Sequence, residues 1–218
     1  MQTKISLQDQ LLEFRQGFTK QVPADIQQVM QDETQKLSQS DLTAKAPKVG
    51  DRLPSFELSN QLGEVRKLNQ LLEHGPVVLT FYRGGWCPYC NLELRAYQAV
   101  LDEITSFGAT LVAVTPELPD ASLTTIEKNE LGFEVLSDVN ADYARSLNLV
   151  FTLPESLRPI YEGFGIHLEH HNGEGQFDLP LAATFVIKQD GTIASAFVDA
   201  DYTVRQEPAQ VVQELASL

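Results

Sequence analysis

Apolar side chains recur at Leu7, Leu11, Phe14 and Phe18, one face of a helix that begins after Ser6. Pro23 sits where a first-turn proline belongs, and Ile26, Val29, Met30 and Leu37 form a second apolar stripe. Two amphipathic helices therefore precede a Lys/Ala/Pro/Gly-bearing linker at 44–50. From Val49 onward the pattern changes. Residues 76–82 are a short β-branched and aromatic run, as expected for a strand buried on both faces. Residues 91–107 carry Leu94, Tyr97, Leu101 and Ile104 at helical spacing and end at Gly108. Residues 109–114 read as a second buried strand, Asp120 and Ser122 open a helix to about Glu130, and 135–136 mark a short third strand. A helix at 141–147 follows. Residues 184–187 and 192–198 flank Lys188-Gln-Asp-Gly, a hairpin turn signal, and 207–218 close the chain as a helix.

The order β-α-β-α-β-α, then a hairpin, then a helix, predicts a mostly parallel α/β sheet with right-handed crossovers and antiparallel strands added at the end. The division expected is a helical extension at 1–46 and one α/β domain at 47–218. The extension either packs on the domain's own surface or forms the seam of a homodimer; the sequence leaves both open.

Composition narrows the function classes. The 218 residues are 43% hydrophobic and 21% charged, which excludes disordered and collagen-like chains. With 30 acidic against 16 basic side chains the formal charge is −14, which speaks for solubility and against nucleic acid as a partner. No apolar run approaches a membrane span and the first ten residues have no apolar leader core, so a cytoplasmic location is expected.

Chemistry concentrates at Cys87 and Cys90, the two cysteines of the chain. Two cysteines cannot staple a domain of this size, and in the cytosol a C-x-x-C is redox-active or metal-binding rather than structural. The pair falls between a buried strand and a helix. Gly84 and Gly85 allow a sharp exit from the strand, and Pro88 suits the first helical turn. Free N–H groups and the dipole at a helix start favour a thiolate there. Arg83 offers a positive charge nearby. With no third cysteine, any disulfide forms between these two or with an external thiol. A zinc site using His167, His170 and His171 matches no zinc-ligand spacing; these read as surface histidines in a loop.

The run from Lys48-Val-Gly-Asp-Arg-Leu-Pro-Ser-Phe-Glu-Leu through Thr80-Phe-Tyr-Arg-Gly-Gly-Trp-Cys-Pro-Tyr-Cys-Asn-Leu-Glu-Leu-Arg resembles peroxiredoxin-like proteins of the AhpC/TSA type that carry a C-x-x-C, within the thioredoxin-like superfamily. Val135-Leu-Ser-Asp-Val, Leu-Pro-Leu-Ala-Ala-Thr-Phe-Val-Ile around Thr184 and Val-Asp-Ala-Asp-Tyr-Thr around Tyr202 extend the likeness over about residues 5–218. The resemblance implies a thioredoxin-like fold, a central mixed sheet flanked by helices on both faces, with a helical N-terminal extension. It implies a thiol-based antioxidant oxidoreductase that reduces hydroperoxides through a Cys87/Cys90 sulfenic acid and disulfide cycle. An external thioredoxin-like or small-thiol reductant would close that cycle. No organic or metal cofactor and no membrane partner are implied. Two registers compete. In the peroxiredoxin register Cys90 is the peroxidatic cysteine and Glu93 the glutamate that follows it. In the thioredoxin register Cys87 is the exposed nucleophile and Cys90 resolves. Cys87 stands in place of the family's threonine, Arg83 in place of its proline, and Ala182 in place of its arginine or, in the other register, of the cis-proline. Thr80, Arg83, Trp86, Pro88, Tyr89 and Glu93 form the implied shell, while Arg205 either supplies charge to the site from elsewhere in the chain or is half of a surface ion pair, the reading preferred here. A dithiol–disulfide oxidoreductase without peroxidase activity and a non-catalytic interaction module are the alternatives.

Overall fold

The computed structural model describes residues 6–218; the expectation about an N-terminal leader falls partly outside them. Among the described residues nine strands run β1 (Glu57–Asn60), β2 (Val65–Lys67), β3 (Val77–Phe81), β4 (Thr110–Thr115), β5 (Glu134–Ser137), β6 (Val150–Thr152), β7 (Asp178–Pro180), β8 (Ala182–Ile187) and β9 (Ile193–Asp199). The N-terminal helices are α1 (Leu7–Gln21), α2 (Ala24–Ser38) and the single turn α3 (Leu42–Lys45), with α4 (Leu68–Leu72) before β3. Then come α5 (Pro88–Gln98), α6 (Leu101–Ser106), α7 (Pro119–Asn129), α8 (Asp142–Ser146), α9 (Arg158–Gly163), α10 (Leu168–Asn172) and α11 (Pro208–Ala216).

Seven strands form one mixed sheet in the order β2-β1-β5-β4-β3-β8-β9. The β3/β4 and β4/β5 pairs are parallel, and β8 and β9 add to β3 in antiparallel fashion. Every residue of β3 is buried, and its side chains alternate between two cores. Val77, Leu79 and Phe81 join the core that includes Leu68 and Leu72 of α4 and Ala144 of α8. Val78 and, just past the strand, Tyr82 join the other, shared with α5, α6, α11 and α1. The thioredoxin-like sheet covered on both faces is thus what a fully buried β3 demands.

The first helix belongs to that second core. Leu7 and Leu11 are 1% and 4% exposed and share a cluster with both cysteines. The Glu207 carboxylate accepts the N–H groups of Leu7 and Gln8, and the Gln8 side chain donates to the Arg205 carbonyl at 2.9 Å. An acid at a helix start satisfies orphan donors and the dipole together. α2 buries nothing fully, but Val29 and Met30 pack on a third cluster built from α9, α10 and the β6/β7 pair.

Three sequence expectations are corrected. The helix expected at 91–107 is two, because Val100 (φ −118, ψ 11) leaves helical space between α5 and α6. The helix expected at 141–147 begins one residue later, after a 3-10 turn in which Asn140 and Ala141 have positive φ. The hairpin β1/β2 escaped the pattern because its residues are half exposed and carry no apolar run. The Asn60 side chain holds its turn by accepting the N–H groups of Leu62 and Glu64.

Since Leu11 is buried against the core that holds the cysteines, Leu11→Ala should destabilise the whole protein by about 2–5 kcal/mol. Urea unfolding followed by far-UV circular dichroism and by Trp86 fluorescence should give one shared transition at a lower midpoint. An early partial transition that leaves the Trp86 signal untouched would show α1 to be an independent appendage.

Candidate active site

Strand register brings the site together. Phe81, at the end of β3, pairs with Val114 near the end of β4 and with Ala183 at the start of β8. Ala183 in turn pairs with Val198 near the end of β9. The segments that leave β3, β4 and β9 therefore meet at one end of the sheet. They deliver Arg83 to Cys90, Glu117, and Tyr202 to Arg205.

The exit from β3 has no room for side chains at two positions. A Cβ on Gly84 would fall 2.2 Å from Trp86 Nε1, and one on Gly85 would fall 1.9 Å from Thr125 Oγ1. Hydrogen bonds fix the turn. The Gly85 N–H donates to Glu117 Oε2 at 2.9 Å, and Asn91 Nδ2 donates to the Gly85 and Cys87 carbonyls at 2.8 and 3.2 Å. Asn91 Oδ1 is held by Asn129 Nδ2 at 2.8 Å, so α7 braces the loop. Cys87 is the N-cap of α5 and Pro88 opens its first turn. Cys90 is then the third helical residue, the position an N-cap side chain naturally faces. No unwinding is needed to bring the two sulfurs together.

Both thiols are free and buried, yet they differ. Cys87 lines an apolar cleft of about 200 Å³ with Trp86, Pro88, Tyr89, Tyr161 and Tyr202. Cys90 lies behind it at 0% exposure, with Arg205 Nη2 donating to its Sγ at 3.3 Å. Burial works against a Cys87 thiolate, but a hydrogen bond from Cys90 and the charges of Arg83 and Arg205 outweigh it and bring Cys87 down to about 6. Burial, the same hydrogen bond and the Cys87 charge push Cys90 well up. Two adjacent buried thiols do not both ionise.

Arg205 is 2% exposed, which overturns its reading as a surface ion pair. Its Nε lies 2.8 Å from Glu93 Oε2 while its Nη2 serves Cys90. Burial pushes Glu93 up to about 8, and the charge of Arg205 opposes that rise. Arg83 is equally buried but boxed by rings, 4.5 Å from Tyr202, 5.0 Å from Trp86 and 5.6 Å from Tyr161, and it donates to the Tyr161 hydroxyl.

Of the residues singled out in the sequence, Arg83, Trp86, Cys87, Pro88 and Tyr89 border the cleft together, and Glu93 reaches the cysteines through Arg205. Thr80 lies deeper, bonding Thr184 Oγ1 at 2.9 Å and so tying β3 to β8. Ala182 opens β8, and no described peptide bond is cis. The histidines sit on or beside α10 rather than in a loop: His171 faces Glu117 at 3.0 Å, and the His167 and His170 rings are 5.3 Å apart. Among the described residues no three His, Cys, Asp or Glu side chains are grouped to hold a metal. Sequence reasoning missed Tyr161, Tyr202 and Glu117, which lie far from the motif along the chain, and it ranked a charge-supplying role for Arg205 below the surface ion pair.

Residues 49–196, more than half of the chain, match the model of the AhpC/TSA family. The chain belongs to that family. A protein of Mycobacterium tuberculosis H37Rv named as a peroxiredoxin is 29% identical over 113 residues, 52% of this chain and 73% of its own length. A Haemophilus influenzae protein named as the peroxiredoxin bcp is 24% identical over 170 residues, 78% of this chain and 97% of that one. Among solved structures, the peroxidoxin BcpB of Mycobacterium tuberculosis superimposes with a TM-score of 0.62 at 22% identity, covering 78% of this chain and 97% of the other. The AhpC/TSA membership gives the activity class: this is a thiol-dependent peroxidase, an antioxidant oxidoreductase. The disulfide-reductase and interaction-module alternatives are not favoured. No helix of the described residues is long and apolar enough to cross a membrane.

Because a Cβ at Gly85 meets Thr125, Gly85→Ala should displace the loop that carries Cys87. The variant is expected to melt several degrees lower and to react with iodoacetamide at least tenfold more slowly at pH 7. Unchanged thiol reactivity in a folded variant would show that the loop tolerates the shift.

Proposed function

We propose that Cys87 is the thiolate that attacks the peroxide and that Cys90 resolves. The observation that carries this is access: Cys87 borders the cleft, and Cys90 lies sealed behind it. The Cys87 sulfur attacks the distal oxygen of the hydroperoxide. The O–O bond breaks, two electrons pass from sulfur to oxygen, and the departing alkoxide takes a proton to leave as alcohol. Cys87 is then an uncharged sulfenic acid, so the charge that held Cys90 protonated is gone. Arg205, 3.3 Å away, now favours the Cys90 thiolate. Cys90 attacks the Cys87 sulfur, water leaves as the sulfenic hydroxyl is protonated, and the disulfide closes within one helical turn. An external dithiol, thioredoxin-like or a small thiol, returns the pair to the reduced state by exchange. A reducing cytosol suits such a cycle.

In this reading the thiol at the family's threonine position has taken over the attack, and Arg205 stabilises charge from a loop the family pattern does not use. The packing also bears on assembly. The apolar stripes of α1 and α2 turn toward their own chain, and their outer faces are mostly polar; this favours helices that complete the site over helices that form a homodimer seam.

Peroxide consumption with a thioredoxin-coupled reductant tests the assignment. Cys87→Ser should lose peroxide reduction by more than about 10²-fold. Cys90→Ser should complete one turnover and stop at a sulfenic acid that dimedone traps on Cys87. The opposite pattern, a dead Cys90→Ser and one turnover in Cys87→Ser, would return the attack to Cys90. In the reduced wild type, alkylation should rise with pH through a midpoint near about 6, because the thiolate fraction of Cys87 grows as pH passes its lowered pKa. A midpoint near the free-thiol value of about 8.5 would remove the electrostatic basis for the assignment.

A further inference from the structure

The two buried arginines are not treated alike. Arg205 has a carboxylate, Glu93, at 2.8 Å. Arg83 is just as buried, yet among the described residues no acidic side chain pairs with it, and its Nη2 donates to the Tyr161 hydroxyl instead. Three aromatic faces surround it instead. A buried guanidinium without a carboxylate is strongly unfavourable unless another anion compensates it. In the reduced protein the Cys87 thiolate supplies part of that compensation, and oxidation of Cys87 removes it.

Arg83 also lines the 200 Å³ cleft at Cys87 and a neighbouring one of about 240 Å³. The chain carries 30 acidic residues, yet none borders the Cys87 cleft. Its single ionic cation is Arg83, and Phe14, Phe18, Met30 and Phe164 supply apolar wall. The combination of an apolar channel, one desolvated guanidinium that the Cys87 thiolate compensates only in part, and no bordering carboxylate suits an amphipathic molecule with an anionic head.

We propose that Arg83 is the anion-recognition subsite of this cleft, and that the preferred substrates are organic hydroperoxides bearing a carboxylate on an apolar body. The apolar body lies along Phe14, Phe18 and Phe164, and the carboxylate pairs with Arg83. The substrate part of this inference rests on the thiol-peroxidase reading above; the binding part does not.

Trp86, the single tryptophan of the chain, stands 5.0 Å from Arg83 and reports occupancy without any chemistry. Its emission should be titrated with decanoate and with decanol, in wild type, Arg83→Gln and Arg83→Lys. Wild type should bind decanoate at least about tenfold more tightly than decanol, as a charge-assisted pair in a desolvated site would give. Arg83→Gln should lose that preference and Arg83→Lys should keep part of it. Equal affinity for acid and alcohol in the wild type, or a preference that survives in a folded Arg83→Gln, overturns the subsite.

Turnover of a fatty-acid hydroperoxide against its methyl ester then tests the substrate assignment. The acid should be favoured through KM, and Arg83→Gln should abolish the ratio between the two substrates whatever its effect on both rates. Equal KM values beside selective decanoate binding would overturn the substrate assignment and leave the anion to a carboxylate-bearing thiol reductant. Decanoate binding without any peroxide turnover would sink the thiol-peroxidase reading while the subsite stands.

Discussion

One negative charge shared by two buried sulfurs is the constraint on which this site depends. Cys87 and Cys90 stand at the N-cap and third position of one helix, away from solvent, so ionising either one raises the other. A lone thiolate in such a place is unfavourable. Arg83 and Arg205, both buried, make it possible, and they arrive from segments 115 positions apart in the case of Arg205 and Cys90. The antiparallel addition of β8 and β9 beside β3 is what makes that meeting geometrically short. Glu93, pushed up to about 8 by burial, sits against Arg205 in the inner half of the site, while Arg83 in the outer half has no carboxylate beside it and is offset in part by the Cys87 thiolate.

The N-terminal helices take part in this arrangement instead of standing outside it. Glu207 caps α1, and Gln8 holds the carbonyl of Arg205, so the first helix steadies the loop that carries the guanidinium. Phe14 and Phe18 of α1 and Met30 of α2 form one side of the cleft. Phe14 also meets Tyr89 edge-on at 5.0 Å, and Tyr89 meets Tyr202 at 5.6 Å, a chain of rings from α1 to the Arg205 loop. Loss of α1 packing would therefore reach the thiols through two routes, the capping contacts and the aromatic wall.

What the sequence disclosed follows from the range of the interactions. Local pattern showed β3 as a buried strand, through a continuous β-branched and aromatic run, and the two N-terminal helices, through apolar positions three or four residues apart. The C-x-x-C at a strand–helix junction disclosed the segment to which we assign the chemistry, since the glycine turn, Pro88 and the helix start are all within one short segment. The break at Val100 left no mark in the spacing of Leu94, Tyr97, Leu101 and Ile104, which a continuous helix would satisfy equally well. The β1/β2 hairpin is half exposed and so lacks the apolar alternation of a buried strand. Arg205 sits in a polar stretch, Asp-Tyr-Thr-Val-Arg-Gln-Glu, whose composition is that of any surface turn. Its burial is a consequence of β9 lying beside β8, a fact that belongs to the sheet and not to the segment.

The departures from the family pattern become mutually consistent once the charges are placed. An arginine at position 83, where a proline is usual, puts a cation beside the helix start, and a cysteine at position 87 puts an ionisable sulfur within its field. A threonine there would leave Arg83 without that ionisable sulfur, among the rings of Trp86, Tyr161 and Tyr202. The alanine at 182 leaves the role of thiolate-stabilising cation unfilled from β8, and Arg205 fills it from beyond β9 while Glu93 holds its other face. The −14 net charge has little influence at this depth, since it resides on surface carboxylates screened over about 8 Å at physiological salt. Local desolvated charges, the Arg83 and Arg205 guanidiniums beside the two thiols, decide which sulfur ionises.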